Sequence, residues 1–320
     1  MSSLHLSKGY CEMKLHSRIF VPLLFLIFLT ACTQENSTEY EPQYSEKSPI
    51  TKSSVYIFGI HPLHNPKHLF EVYQPMVDYI NKRIEGSELR LEASRNYAAY
   101  DKKLFSGYFH FSLPNPYQTI ISLQNGYRVF GKMADDENFR GIILVRKDSG
   151  IKEVKDLLGK VVSYPAPTAL AATMMPQWYL QQHGLSVKDD ITNSYVGSQE
   201  SSIMNVYLGK SAAASTWPPP WIAFIKERPE IAEQVMIKWE TKPLLNNGLV
   251  VRKDVPQELV ERVKEIILSL HTNPEGRKIL SAMELSRYEK ADDSTYEPVQ
   301  TFLDNFEDKV RLIRGGVDNE

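Results

Sequence analysis

From Val55 onward, apolar runs of strand length alternate with stretches of helical spacing, and this alternation constrains the fold more than any other feature of the chain. Val55-Tyr56-Ile57-Phe58-Gly59-Ile60 is short, apolar and suited to a buried strand. Leu69, Val72, Tyr73, Met76, Val77, Ile80 and Ile84 then recur as one face of a helix, and Leu89, Leu91 and Ala93 alternate as in a strand. Strands are predicted at 109–113 and 128–133, with a helix over 116–124 between them. A second series starts at Gly141-Ile142-Ile143-Leu144-Val145-Arg146 and continues through strands at 161–164, 194–197 and 212–215, each followed by a helix-like stretch. Gly248-Leu249-Val250-Val251-Arg252 is a further apolar run, and helices over 256–271, 274–285 and from about 295 close the chain. Such alternation implies α/β architecture, with parallel sheets flanked by helices and a ligand site at the carboxyl ends of the strands.

The segment before this series reads as an export signal. From Met13 a basic stretch with Lys14 and Arg18 precedes an apolar run from Ile19 to Leu29. That run is too short for a membrane span, which needs about 20 residues, but suits the core of a signal peptide. It ends in Leu29-Thr30-Ala31-Cys32, which resembles a bacterial lipobox whose cysteine becomes the lipidated first residue of the mature protein. Residues 1–31 are therefore expected to be a lipoprotein signal peptide, with Met13 a candidate true start. Residues 32–54, poor in apolar side chains and rich in Ser, Glu, Thr and Pro, are expected to be a flexible tether. Thr33, where an Asp would favour retention in the inner membrane, favours the outer membrane of a diderm cell.

Composition removes several functions. The formal net charge of −2 provides no basic field for nucleic acid. The two cysteines, Cys11 and Cys32, precede the globular part, which therefore has no disulfide, thiolate metal site or cysteine nucleophile. No Gly-rich phosphate loop, zinc motif or nucleophile–base pair is recognisable, so no catalytic residue and no cofactor is expected. His61, His64 and His68 are close in sequence, but Pro62 and Pro66 make the stretch a loop, and no metal site is assigned to it.

Five stretches in order then resemble one family. They are Gly59-Ile60-His61-Pro62 with the helix holding Tyr73 to Tyr79; Asn96-Tyr97-Ala98-Ala99 through Gly107 to Pro114-Asn115-Pro116-Tyr117; Gly141 to Lys160; Gly197-Ser198-Gln199-Glu200 running to Lys210; and Asp293 to Val299. Together they resemble the PhnD-like phosphate, phosphite and phosphonate substrate-binding proteins of ABC importers. The resemblance implies a two-lobed type II periplasmic-binding-protein fold, each lobe a mostly parallel sheet flanked by helices. Lobe 1 would span 55–146 plus 248–320 and lobe 2 147–247, with crossover strands near 141–147 and 245–251 as a two-strand hinge. It also implies a small-molecule ligand, a membrane permease partner, a monomer, and an address on the extracytoplasmic face of the cell envelope.

Site residues follow from the same resemblance. In the family a hydroxyl-rich turn opens the first long helix of lobe 2 and holds phosphonate oxygens. Here Ala169-Leu170-Ala171-Ala172 stands at that turn without the hydroxyl set; the flanking Thr168 and Thr173 would compensate in part, and backbone N–H groups remain. Tyr97 and Tyr117 match tyrosines facing the cleft, and Gln199 stands where a histidine is common. Ser198 also fits a helix N-cap, and Glu200 a favourable charge in the first helical turn. Trp217 is a candidate aromatic wall, with Pro218 where an acidic residue often follows. Trp221 fits packing against its own lobe, and Arg95 a solvated surface. The expected ligand set is Tyr97, Tyr117, Thr168, Ala169, Leu170, Ala171, Gln199 and Trp217, with Cys32 the lipidation site. An aromatic or cationic solute is the alternative guest, and a sensory subunit of related fold is the alternative role.

Overall fold

The computed structural model describes residues 53–313. The expected signal peptide, Cys32 and nearly all of the expected tether lie outside the described residues. Among those described, no helix is long and apolar enough to cross a membrane.

The chain begins with β1 (Ser54–Ile60), α1 (Pro66–Asn81), β2 (Ser87–Ala93), α2 (Tyr97–Phe105), β3 (Phe111–Leu113), α3 (Pro116–Gln124) and β4 (Tyr127–Met133). It then forms β5 (Ile142–Arg146), β6 (Val161–Tyr164), α4 (Met175–Gln182), β7 (Thr192–Tyr195), α5 (Gln199–Tyr207), β8 (Ala213–Thr216), α6 (Pro218–Glu227), α7 (Pro229–Gln234) and β9 (Val235–Glu240). It returns through β10 (Gly248–Arg252), α8 (Gln257–Leu268), α9 (Pro274–Ala282), β11 (Tyr288–Glu289) and α10 (Glu297–Lys309). The result is a six-stranded sheet of order β11-β4-β10-β3-β1-β2 and a five-stranded sheet of order β7-β6-β8-β5-β9.

Both sheets are mixed rather than mostly parallel. β1 pairs in parallel with β2 and β3, and β6 with β7 and β8. β5 and β10, the first strands after each passage between sheets, run antiparallel to their neighbours. The expected hinge strands each pair within one sheet, β5 in the second and β10 in the first. The chain passes between sheets in the irregular segments 134–141 and 241–247.

Local sequence sets the element ends. Asn65 caps α1 by accepting from the His68 N–H, with Pro66 in the first turn, where its missing N–H costs nothing. Asn96 accepts from the Ala99 N–H at the start of α2, and Asn115 and Gln118 form a reciprocal capping box at α3. Ser198 caps α5 as anticipated. The continuous apolar run of β5 reflects burial on both sides. Ile143 and Val145 join the main core, while Ile142 and Leu144 join a second cluster with Ile203, Val206, Trp221 and Ile231. Trp221 thus packs within its own lobe. Arg95 is exposed.

Candidate functional site

The N-termini of α2, α3 and α5 and the turn leading into α4 meet between the two sheets. The turn has a physical origin in Pro176. A proline in the first turn of α4 donates no N–H and crowds the carbonyl four residues back. The preceding residues Leu170–Met174 widen into one π-helical turn, with the Thr173 and Met174 N–H groups sharing the Ala169 carbonyl at 2.8 and 3.3 Å. The N–H groups of Leu170, Ala171 and Ala172 have no acceptor among the described residues. Unpaired donors at a helix start carry partial positive charge. The turn is held from behind by Gly141, where a Cβ would lie 2.6 Å from the Ala171 carbonyl oxygen and from Pro176.

Direct hydrogen bonds close the lobes on this turn. Gln199 donates from Nε2 to the Tyr97 hydroxyl at 3.2 Å and accepts at Oε1 from the Thr216 hydroxyl at 2.8 Å. Asn115 Nδ2 donates to the Thr168 carbonyl at 3.0 Å. Thr168 Oγ1 donates to Asp101 Oδ2 at 3.0 Å, and Gln118 Nε2 to Asp101 Oδ1 at 2.6 Å. The Gln118 Oε1 accepts from the Asn115 N–H at 2.9 Å, completing a ring through Asp101, Gln118, Asn115 and Thr168 that spans both lobes. Further out, Glu200 accepts from the Asn65 backbone and side chain. Arg311 donates to the Pro167 carbonyl and to Gln177.

What remains between the walls is a void of about 10 Å³, on the scale of a single water. The first sheet's side contributes His61, Tyr97 and Asn115, and the segment between sheets contributes Phe139. The second lobe contributes Ala169 to Ala172, Gln199 and Trp217, whose ring meets Phe139 edge-on at 5.5 Å. At the mouth lies a larger cavity of about 180 Å³, bounded by Tyr97, Asp101, Thr168 and Tyr195 among others. The gap implied by the sequence is thus nearly shut, because polar groups of the two lobes satisfy each other directly.

The structure brings Tyr97, Thr168, Ala169, Leu170, Ala171, Gln199 and Trp217 together around these two spaces. Tyr117 is buried on α3 but borders neither, since Asn115 and Gln118 occupy the cleft side of that helix start. Three polar residues were not anticipated in the walls. His61 is buried, and its Nδ1 meets the Leu113 carbonyl at 2.9 Å, which places the ring proton on Nδ1. Burial pushes its pKa down to about 4, so the ring is neutral. Asp101 is buried without a cation, and desolvation pushes its pKa up to about 7 against the opposing pull of Gln118 and Thr168. Asn115, part of the Pro114–Tyr117 stretch, both caps α3 and donates across to Thr168. His64 and His68 pack edge-on at 4.5 Å, and among the described residues no group of three potential ligands could hold a metal.

The sequence matches the ABC transporter phosphonate periplasmic substrate-binding proteins over residues 58–296, well over half of the chain. The chain belongs to this family. It is a substrate-binding protein of an ABC transporter, working outside the cytoplasm with a small-molecule ligand and a membrane permease; the family binds its substrate and is not enzymatic. Solved structures with the same fold include a binding-protein component of an ABC phosphonate transporter from Pseudomonas aeruginosa. It is 17% identical, with a TM-score of 0.71, covering 78% of this chain and 85% of that one. PhnD1 from Prochlorococcus marinus, solved with methylphosphonate, is also 17% identical, with a TM-score of 0.73 and coverage of 80% and 99%. The aliphatic sulphonate binding protein SsuA of Escherichia coli is more distant, at 15% identity and a TM-score of 0.55, with coverage of 84% and 91%. These likenesses establish a two-lobed binding-protein fold.

Proposed function

We propose that this protein captures a small phosphonate-like oxyanion between its lobes and presents it to the permease while tethered by lipid on Cys32. The observation that carries the ligand assignment is the set of unpaired N–H groups at Leu170, Ala171 and Ala172, aligned at the start of a helix and bordering the void. Such donors favour a compact anion without any hydroxyl side chain. Tyr97, Thr168, Gln199 and Trp217 would complete the wall. Lobe 1 and lobe 2 would part about the segments 134–141 and 241–247, exchanging the Tyr97–Gln199 and Asn115–Thr168 contacts for contacts to the guest.

A thermal-shift series with methylphosphonate, phosphite, phosphate and an alkylsulfonate tests the ligand class. A ligand at a hundred times its Kd stabilises by about 2.7 kcal/mol, enough to raise the melting temperature by several degrees. At least one phosphorus oxyanion should give such a shift; none doing so would end the assignment. For the tether, cells fed an alkyne-tagged fatty acid should label the full-length protein but not Cys32→Ser. Equal labelling of both would remove the lipid anchor from this account.

A further inference from the structure

Away from the cleft, α4 turns another face toward a cavity of about 610 Å³, within the range of about 300–1,000 Å³ usual for small-molecule sites. Met175, Trp178, Tyr179, Gln182 and His183 recur at helical spacing along that face. The facing walls are Phe302 of α10 and residues 240–244, where β9 ends and the chain crosses back toward the first sheet. No residue borders both this cavity and either space of the cleft. Its aromatic walls are held in place. Trp178 meets Phe302 edge-on with ring centres 6.0 Å apart. Tyr179 stacks on His183 at 3.9 Å, and His183 Nδ1 meets the Tyr179 carbonyl at 2.7 Å. Trp178, Tyr179, Leu244 and Phe302 pack on the edge of the core yet stay only half-buried. Three such rings around one hollow offer a flat guest both face and edge contacts.

The charge at the rim selects the class of guest. Glu240 borders the cavity but accepts from Arg140 at 2.6 Å, which balances its charge. Lys242 also borders the cavity and is exposed, and the Lys309 Nζ lies 5.8 Å from the centre of the Trp178 ring. The lysines that form ion pairs among the described residues include neither of them. The charge left to draw in a partner is therefore positive. We infer that this cavity is a second binding site, for a flat aromatic carboxylate, with Trp178, Tyr179 and Phe302 holding the ring and Lys242 meeting the carboxylate. The site stands apart from the cleft, so its assignment is independent of what the cleft captures.

Calorimetric titration of the purified protein with 2-naphthoate, 2-naphthamide and octanoate tests the ligand class, and Trp178→Leu and Lys242→Gln test the place. The wild type should bind 2-naphthoate saturably and prefer it to the uncharged amide by about three- to fivefold, as expected for an exposed ion pair. That preference should shrink as salt is added. Octanoate, which keeps the charge but has no ring, should bind about tenfold more weakly than 2-naphthoate. Trp178→Leu should weaken 2-naphthoate by about tenfold, and Lys242→Gln should bring acid and amide to within about twofold. No saturable binding of 2-naphthoate would overturn the inference. Equal affinities for acid and amide would overturn the carboxylate, and octanoate binding as tightly would overturn the aromatic ring. Affinities unchanged in both variants would put the guest elsewhere and overturn the site. Lys242 is exposed, so its replacement decides the place even if Trp178→Leu fails to fold.

Discussion

Trp217→Ala is expected to lower stability by about 3–5 kcal/mol as well as to abolish tight ligand binding. The side chain is 3% exposed and belongs to the main core while also forming a wall of the void. Truncation removes the edge-on contact with Phe139 and opens a cavity that the surrounding strand ends cannot fill. The sequence marks Trp217 as a candidate aromatic wall of the cleft, and its burial makes it a core residue as well. Chemical denaturation measures the first effect, and Trp217→Phe isolates the second. The smaller ring should restore most of the stability, so any remaining affinity loss belongs to the ligand contact. A destabilisation under about 1 kcal/mol for Trp217→Ala would contradict the packing described above.

Acidification is expected to weaken the fold between pH 6.5 and 4, by about 3 kcal/mol net. Burial lowers His61 to about 4 and His64 to about 3, both from 6.5. Between these values the unfolded chain binds protons that the folded one refuses, so each histidine makes stability fall as pH falls. Asp101 acts in the opposite sense. Its pKa is raised from 3.8 to about 7, so the folded state binds the extra proton, and this contribution fades as pH rises through 7. Two histidines against one carboxyl leave a net loss in acid. Urea unfolding across this range should show that His64→Gln flattens the dependence and that Asp101→Asn steepens it. Identical slopes in all three proteins would show that these groups do not govern it.

Much of the fold was legible because local signals coincided. α3 was read to the residue, since Asn115 and Pro116 mark its start. The apolar run 248–252 coincides with β10, where Leu249, Val250 and Val251 are fully buried, while the crossover strand expected near 245–251 begins three residues too early. β9 was missed because Val235–Glu240 mixes charge with half-buried positions, as a strand at the edge of its sheet can. β11 is too short to leave a periodicity. The mixed pairing was hidden for a different reason: the direction of β5 and β10 is set by passage between sheets, which no local pattern records. Likeness to a family pointed to the Ala169–Ala172 turn, Gln199 and Tyr97, which border the small void. It could not find His61 or Asp101. A lone histidine in a loop and an aspartate inside a helix look solvated until tertiary packing removes the water around them.

Gly141 gives the molecule a mechanical economy. With no side chain, it lets the backbone linking the two halves lie directly against the Ala171 carbonyl. The crossing segment and the turn therefore touch with no side chain between them. In the proposed clamp, a guest that drew the turn forward would load the crossing segment through this same contact.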